Sequence, residues 1–411
     1  MQQNLGFEEA LALVLENVGL GPEEEAALPD LPGRVLVREV RALVDSPSVE
    51  ASLKDGYALH SADVASASEA APVALRLAGF QAAGDIPRGT LPRGATLRVT
   101  TGTPLPSGAD AVLAGEFARE EAGWVHCFRD AGPNRNVLSR GADVRAGEVI
   151  AGEGEVLTPG LIGLIAAGGL SSAPVVRPPR VALLGTGDEV VAPGRPLGPG
   201  KLYASNIVET AAWLKAFGFP DAGTQVLPDR AEEIASALRG LSDRADAFIS
   251  SGGAWGSERD LMVRLLGDLG WRGIFHRVRL GPGKAVAFGL WDGRPFFILP
   301  GGPPSHEAAF LLLALPGLWA MCGRREPVFP RVMVRLTEAV AGQAKWTQVI
   351  HARAVWDNGR WTAAPLKTAS RLSSMARKNA LILLPEGVSE VAAGQEVEAV
   401  LLGARGLGGI L

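Results

Sequence analysis

Three glycine-rich segments in the second half of the chain hold the side chains best suited to chemistry: Gly185-Thr-Gly-Asp-Glu189, Ser251-Gly-Gly-Ala-Trp-Gly-Ser-Glu-Arg-Asp260 and Leu299-Pro-Gly-Gly-Pro-Pro-Ser305. Each follows a short apolar run that reads as a strand. Glycine lets the backbone approach a ligand and turn N–H groups toward it. A helix beginning after such a loop adds partial positive charge, which suits a phosphate or another oxyanion. One such loop alone is an ordinary turn; three at the strand ends of one sheet are expected to share a site. The candidate ligand contacts are Thr186, Gly187, Asp188, Ser251, Gly252, Gly253, Pro300, Gly301 and Ser305.

Glu189, Asp229 and Asp260 would gather at the same edge. Crowded carboxylates repel, and a Mg²⁺ ion bridging them to phosphate oxygens relieves that repulsion. Asp229 and Asp260 also stand where aspartate caps helices, so both readings are open. In Leu280-Gly-Pro-Gly-Lys284 a lysine directly precedes a strand, as a point charge for an anion or as an exposed lysine. Ser52-Leu-Lys-Asp-Gly-Tyr-Ala58 places Asp55 in a tight turn beside an aromatic ring. Trp255 either stacks on a planar ligand or packs beneath its loop.

Other chemistries lack their residues. The five histidines show no metal spacing, and there is no nucleophile elbow, P-loop or complete dinucleotide fingerprint. Two cysteines, Cys127 and Cys322, lie far apart, so no disulfide framework is expected and the reducing cytoplasm fits. The amphipathic, acidic N-terminus does not read as a signal peptide. Apolar stretches at 157–176 and 308–321 are broken or short for a membrane span, so no membrane partner is expected. A net charge of −4 gives no broad basic surface for nucleic acid.

The elements that must position these residues follow from length and periodicity. At 411 residues, the chain exceeds one ordinary core. A helix is expected over 7–17. Segment 45–143 has short apolar runs separated by glycine and proline, the pattern of a small β domain. Segment 147–173 reads as a connector with a helix that returns to the N-terminal helix. Strands and helices alternate over 180–323, which implies a parallel sheet covered on both faces, with ligands beyond the carboxyl ends of its strands. From 327 onward, short strands near 332–336, 348–355, 381–384 and 396–402 suggest a barrel-like domain.

These segments resemble a known family, the molybdopterin molybdenumtransferases of the MoeA and gephyrin E-domain type. Ser52–Ala58 is similar to its S-x-M-D-G-Y-A, Thr100-Thr-Gly-Thr-Pro104 to M-T-G-A-P, and Arg140-Gly-Ala-Asp143 to R-G-E-D. Thr186–Glu189 matches T-G-D-E. The loops at 250–260 and 299–305 resemble S-S-G-G-x-S-x-G-x-x-D and L-P-G-N-P-x-S. Six motifs in order span nearly the whole chain.

The resemblance implies a multidomain α/β plus β protein. Its parts are an extended linker domain (1–44 and 144–178), an inserted β domain (45–143), a MoaB/Mog-like α/β domain binding the pterin (179–326) and a C-terminal β domain (327–411). It implies a homodimer acting on a pterin nucleotide, with other proteins of molybdenum-cofactor biosynthesis as further partners. The implied reaction converts adenylylated molybdopterin and molybdate, or tungstate, into metal-loaded cofactor and AMP, with Mg²⁺. By motif position, Asp229 and Asp260 are similar to the Mg²⁺-linked carboxylates. Glu189 and Asp55, with Thr101 and Gly102, would lie near the nucleotide–pterin, and Lys284, Ser305 and Ser370 would form the oxyanion site. The sequence departs from the family at Lys54, Trp255, Gly281, Gly302 and Ala344-Lys345-Trp346. Gly281 stands where the family has a lysine. A variant for tungstate, an adenylate-hydrolysing variant and a non-catalytic scaffold therefore remain as alternatives.

Overall fold

The structure is a computed structural model that describes residues 1–86, 89–252 and 261–403. It forms two compact units, Glu24–Val175 and Met1–Glu23 with Val176–Leu411.

In the first unit a six-stranded sheet runs in the order Ala111–Ala114, Gly56–Leu59, Ala95–Val99, Val73–Gln81, Trp124–Cys127, Ala118–Glu121. Alternate residues such as Leu59, Leu75, Leu113 and Val125 fill one core beside it. A second core gathers Leu31, Leu36, Leu157, Ile165 and Val175 around the helix Pro159–Ala167, whose N-cap Thr158 accepts the Leu161 N–H.

The second unit holds the glycine-rich loops. It opens with β1 (Gln2–Leu5) and α1 (Phe7–Asn17). The α/β core follows: β2 (Val181–Thr186), α2 (Ser205–Ala216), β3 (Asp221–Leu227), α3 (Ala231–Leu241), β4 (Ala247–Ser251), α4 (Leu261–Asp268), β5 (Arg272–Val278), β6 (Ala287–Trp291) and β7 (Arg294–Leu299). The seven strands lie in the order β1-β5-β6-β7-β4-β2-β3. Strands β7, β4, β2 and β3 are parallel, as the βα alternation requires. Strand β6 pairs antiparallel with β7 and β5, and β1 joins β5 in parallel. Strand β5, which lies between β1 and β6, escapes sequence reading because Gly273, His276 and Arg277 interrupt its apolar run.

Residues 1–23 thus belong to the same compact unit as the α/β core. Phe7, Ala10, Leu11 and Val14 recur at helical spacing and enter a core with Phe297, Leu315 and Leu318. Each fully buried side chain of this size contributes roughly 1.5–3 kcal/mol. Gly317 permits the close approach: a Cβ there would lie 2.8 Å from Val14 and 2.9 Å from the Phe297 ring. That steric match overrides proximity along the chain.

After β7 the chain runs through α5 (Pro303–Ala309), a π-helical turn (Phe310–Ala314) and α6 (Leu315–Met321), all packed in the core. Among the described residues no helix is long and apolar enough to cross a membrane. The remaining elements are β8 (Arg331–Leu336), β9 (Thr347–Asp357), β10 (Arg360–Pro365), α7 (Arg371–Arg377), β11 (Ala380–Leu384) and β12 (Glu396–Leu401). Five strands close into a barrel through β9-β10-β8-β12-β11 and back to β9. Strand β10 was not expected from sequence; it is the one that completes closure, and closure removes exposed edges. The short strand Leu280–Gly281, between β5 and β6, pairs in parallel with Thr347–Gln348 of β9.

Candidate functional site

The carboxyl ends of β2, β3, β4 and β7 open onto one cavity of about 590 Å³. Thr186, Gly187 and Glu189 line it after β2, Asp229 after β3, Gly252 after β4, and Pro300, Gly301 and Ser305 after β7. Lys284 enters from the loop between β5 and β6, and Gln343, Trp346 and Gln348 from the barrel side. This is the position at which parallel α/β sheets bind ligands.

Charge in this cavity is unbalanced. Burial raises the Asp229 carboxyl above its ordinary value, and the charges of Glu189 and Asp188 add to the effect. The Asp229 N–H donates to Asp188 Oδ1 at 3.2 Å. The lysine opposite is not idle: Lys284 Nζ lies 4.6 Å from the centre of the Trp346 ring, a cation–π contact. Among the described residues no three His, Cys, Asp or Glu side chains form a ready-made metal site. Two hard carboxylates, Glu189 and Asp229, are of the type that suits Mg²⁺, which keeps waters and takes few protein ligands.

A second cavity of about 550 Å³ adjoins the first and shares Thr186, Glu189, Gly252 and Gly301 with it. Tyr203, Asn206, Ser251, Arg371 and Leu372 complete its walls. Asn206 Nδ2 donates to Ser251 Oγ at 3.0 Å and to the Gly301 carbonyl at 2.9 Å, so one buried amide ties two glycine loops together. Sequence reading missed Asn206; its place at the start of α2, beside the β2 loop, was the available signal.

The other sequence candidates fall elsewhere. Ser370 lines neither cavity. Its hydroxyl caps α7 by accepting the Ser373 N–H at 3.2 Å, and the neighbouring Arg371 reaches the second cavity instead. Asp55, Thr101 and Gly102 belong to the other compact unit. Asp55 Oδ1 accepts the Thr101 N–H at 2.6 Å and its hydroxyl at 2.9 Å, which hold the carboxyl below its usual range. The Gly102 N–H donates to the Ser52 carbonyl at 2.7 Å. Gly253, Trp255 and Asp260 lie outside the described residues.

A seven-stranded α/β sheet with a cavity at its carboxyl ends is followed by a closed β-barrel, and three family models match this chain in order. They are the MoeA N-terminal region (domain I and II) over residues 5–169, the probable molybdopterin binding domain over 182–319, and the MoeA C-terminal region (domain IV) over 333–402. Molybdopterin molybdenumtransferase 2 of Mycobacterium tuberculosis is 31% identical over 89% of this chain and 92% of its own length. The molybdopterin molybdenumtransferase of Bacillus subtilis is 28% identical over 96% of this chain and 93% of its own. The crystal structure of the molybdopterin biosynthesis MoeA protein from Pyrococcus horikoshii matches with a TM-score of 0.82 at 28% identity, over 98% of this chain and 100% of that one. The chain belongs to the molybdopterin molybdenumtransferase (MoeA) family.

Behind the two cavities lies a buried polar cluster that sequence reading passed over. The Glu307 carboxylate of α5 pairs with Lys378, which follows α7, and lies 3.2 Å from His351 Nε2 of β9. Glu209 of α2 shares a hydrogen bond with it and contacts Trp213. Burial would raise Glu307, but His351, Glu209 and Lys378 outweigh it and hold this carboxyl low. Glu209 is pushed up to about 8, first by burial and then by Glu307. Neighbouring His306 is pushed down to about 4 by burial, so it is neutral at pH 7. Glu209 therefore carries a proton that the unfolded chain releases in the ordinary carboxylate range. Its contribution to stability is full below that range and is lost as pH rises through about 8. Thermal stability should decline between about pH 4.5 and 8, and Glu209→Gln should flatten the decline. Calorimetric melting curves that are equally flat for both proteins would refute this assignment of the proton.

Proposed function

We propose that this chain is a molybdopterin molybdenumtransferase that converts adenylylated molybdopterin and molybdate into molybdenum cofactor and AMP, in a step requiring Mg²⁺. The observation that carries the reading is the meeting of Glu189, Asp229 and Lys284 in one cavity at the carboxyl ends of four parallel strands. Cleaving a phosphoanhydride demands neutralised charge and fixed donors more than covalent catalysis. Glu189 and Asp229 would hold the Mg²⁺, which supplies that neutralisation on the phosphate oxygens when bound. Lys284, held over the Trp346 ring, would supply the cation for an oxyanion. The glycine loops leave room for phosphates near the backbone, and Asn206 keeps two of them in register. The dithiolene sulfurs belong to the substrate, so no protein cysteine is needed.

Lys284 is the only cation among the described residues lining the first cavity. Arg279, a potential substitute for the lysine replaced by Gly281, is engaged by Glu386 at 2.9 Å. We infer weak oxyanion affinity, with tungstate as an alternative substrate. We also infer a homodimer in the cytoplasm, as the family resemblance implies.

Incubating the protein with adenylylated molybdopterin, Mg²⁺ and either oxyanion tests the reading. AMP with metal insertion is the expected result. AMP without insertion would indicate an adenylate hydrolase, and binding without turnover a scaffold.

A further inference from the structure

The buried Glu307 cluster joins three of the elements that line the cavities, α2, β9 and α7. Glu307 is 1% exposed and stands two residues after Ser305, which lines the first cavity. Its carboxylate reaches Lys378 at the end of α7, His351 on β9 and Glu209 on α2. The adjacent His306 adds a second tie to α2, with Nε2 at 2.8 Å from Thr210 Oγ1. Each tethered element also lines a cavity: Asn206 from α2, Gln348 from β9 and Arg371 from α7.

A buried ion pair is a poor source of stability, because desolvation offsets its attraction and apolar residues of similar volume serve as well. What it supplies is a defined geometry. We propose that Glu307 is a positioning residue: it fixes Ser305 of the α/β core against Gln348 and Arg371 of the barrel side, and so sets the width of the two adjoining cavities. This proposal rests on the transferase reading for its activity assay only.

The test separates placement from folding. Glu307→Gln and Lys378→Met each leave a buried partner uncompensated, and both should melt earlier than the wild type. The double variant Glu307→Gln/Lys378→Met removes both charges and should recover the wild-type melting temperature. Its kcat for AMP release should stay about tenfold low while KM changes by less than about twofold, since small misplacements of reacting groups are costly. A double variant with wild-type kcat would overturn the proposal. His351→Phe cuts only the tie to β9 and gives the same reading if the double variant does not fold: a similar kcat loss supports the proposal and normal turnover refutes it. If the wild type itself releases no AMP, the transferase reading fails and the proposal is judged by calorimetric titration with AMP and with molybdate. Affinity about tenfold weaker in the double variant supports it, and equal affinity overturns it.

Discussion

Asp229→Asn should slow Mg²⁺-dependent AMP release by about 10²- to 10³-fold, the range expected when an electrostatic component of a transition state is removed. The substitution preserves shape and deletes one of the two carboxylates in the described cavity wall. Asp229 sits partly buried against Glu189 and Asp188, whose charges already disfavour its ionisation. Removing its charge relieves that repulsion, so the melting temperature without Mg²⁺ should hold or rise slightly. A capping role for Asp229 is excluded by the structure, because the N-cap of α3 is Arg230 and no side chain caps it, so lost turnover with retained stability is the signature of a metal-holding carboxylate. AMP release within about threefold of the wild type at saturating Mg²⁺ would remove Asp229 from the mechanism.

Gly252→Ala should cost about 2–4 kcal/mol of stability and lower turnover by about 10²-fold or more. Gly252 has φ +102°, a conformation that side chains rarely adopt, and a Cβ there would stand 2.6 Å from the Thr186 backbone oxygen. Backbone on backbone has no flexible end to yield, so the ends of β2 and β4 must separate where they line both cavities. Gly301→Ala is the control. Its nearest neighbour would be the Gly252 Cα at 3.8 Å, an ordinary contact, and its melting temperature should stay near that of the wild type. Equal losses in both variants would show that any side chain in these loops is disruptive and that the specific clash is not the cause.

The loops were legible in sequence because their chemistry is local. A glycine run after an apolar run marks a strand end, and the strand ends of one sheet share an edge, so Thr186, Asp229, Gly252 and Gly301 could be brought together without coordinates. Lys284 and Ser305 were singled out from their loops, and both line the first cavity. The tertiary matches were less visible. The N-terminal helix packs against α6, roughly 300 residues further along the chain, because Gly317 makes space for Val14, and nothing in residues 7–17 announces that partner. Ser370 was placed by motif, but its hydroxyl is committed to a helix start, and Arg371 beside it is the side chain that faces a cavity. The Glu307 cluster escaped because Glu209, Glu307, His351 and Lys378 are common surface residues until folding buries them together.

The two-residue ladder between Leu280–Gly281 and Thr347–Gln348 limits how this chain can be dissected. It welds the segment bearing Lys284 to the barrel, and Trp346, the partner of that lysine, lies one residue before the weld. Truncation near residue 327, at what looks like a natural seam, would therefore excise part of the pocket and release its lysine. For chimeras and minimal fragments, the α/β core and the barrel form a single exchangeable cassette.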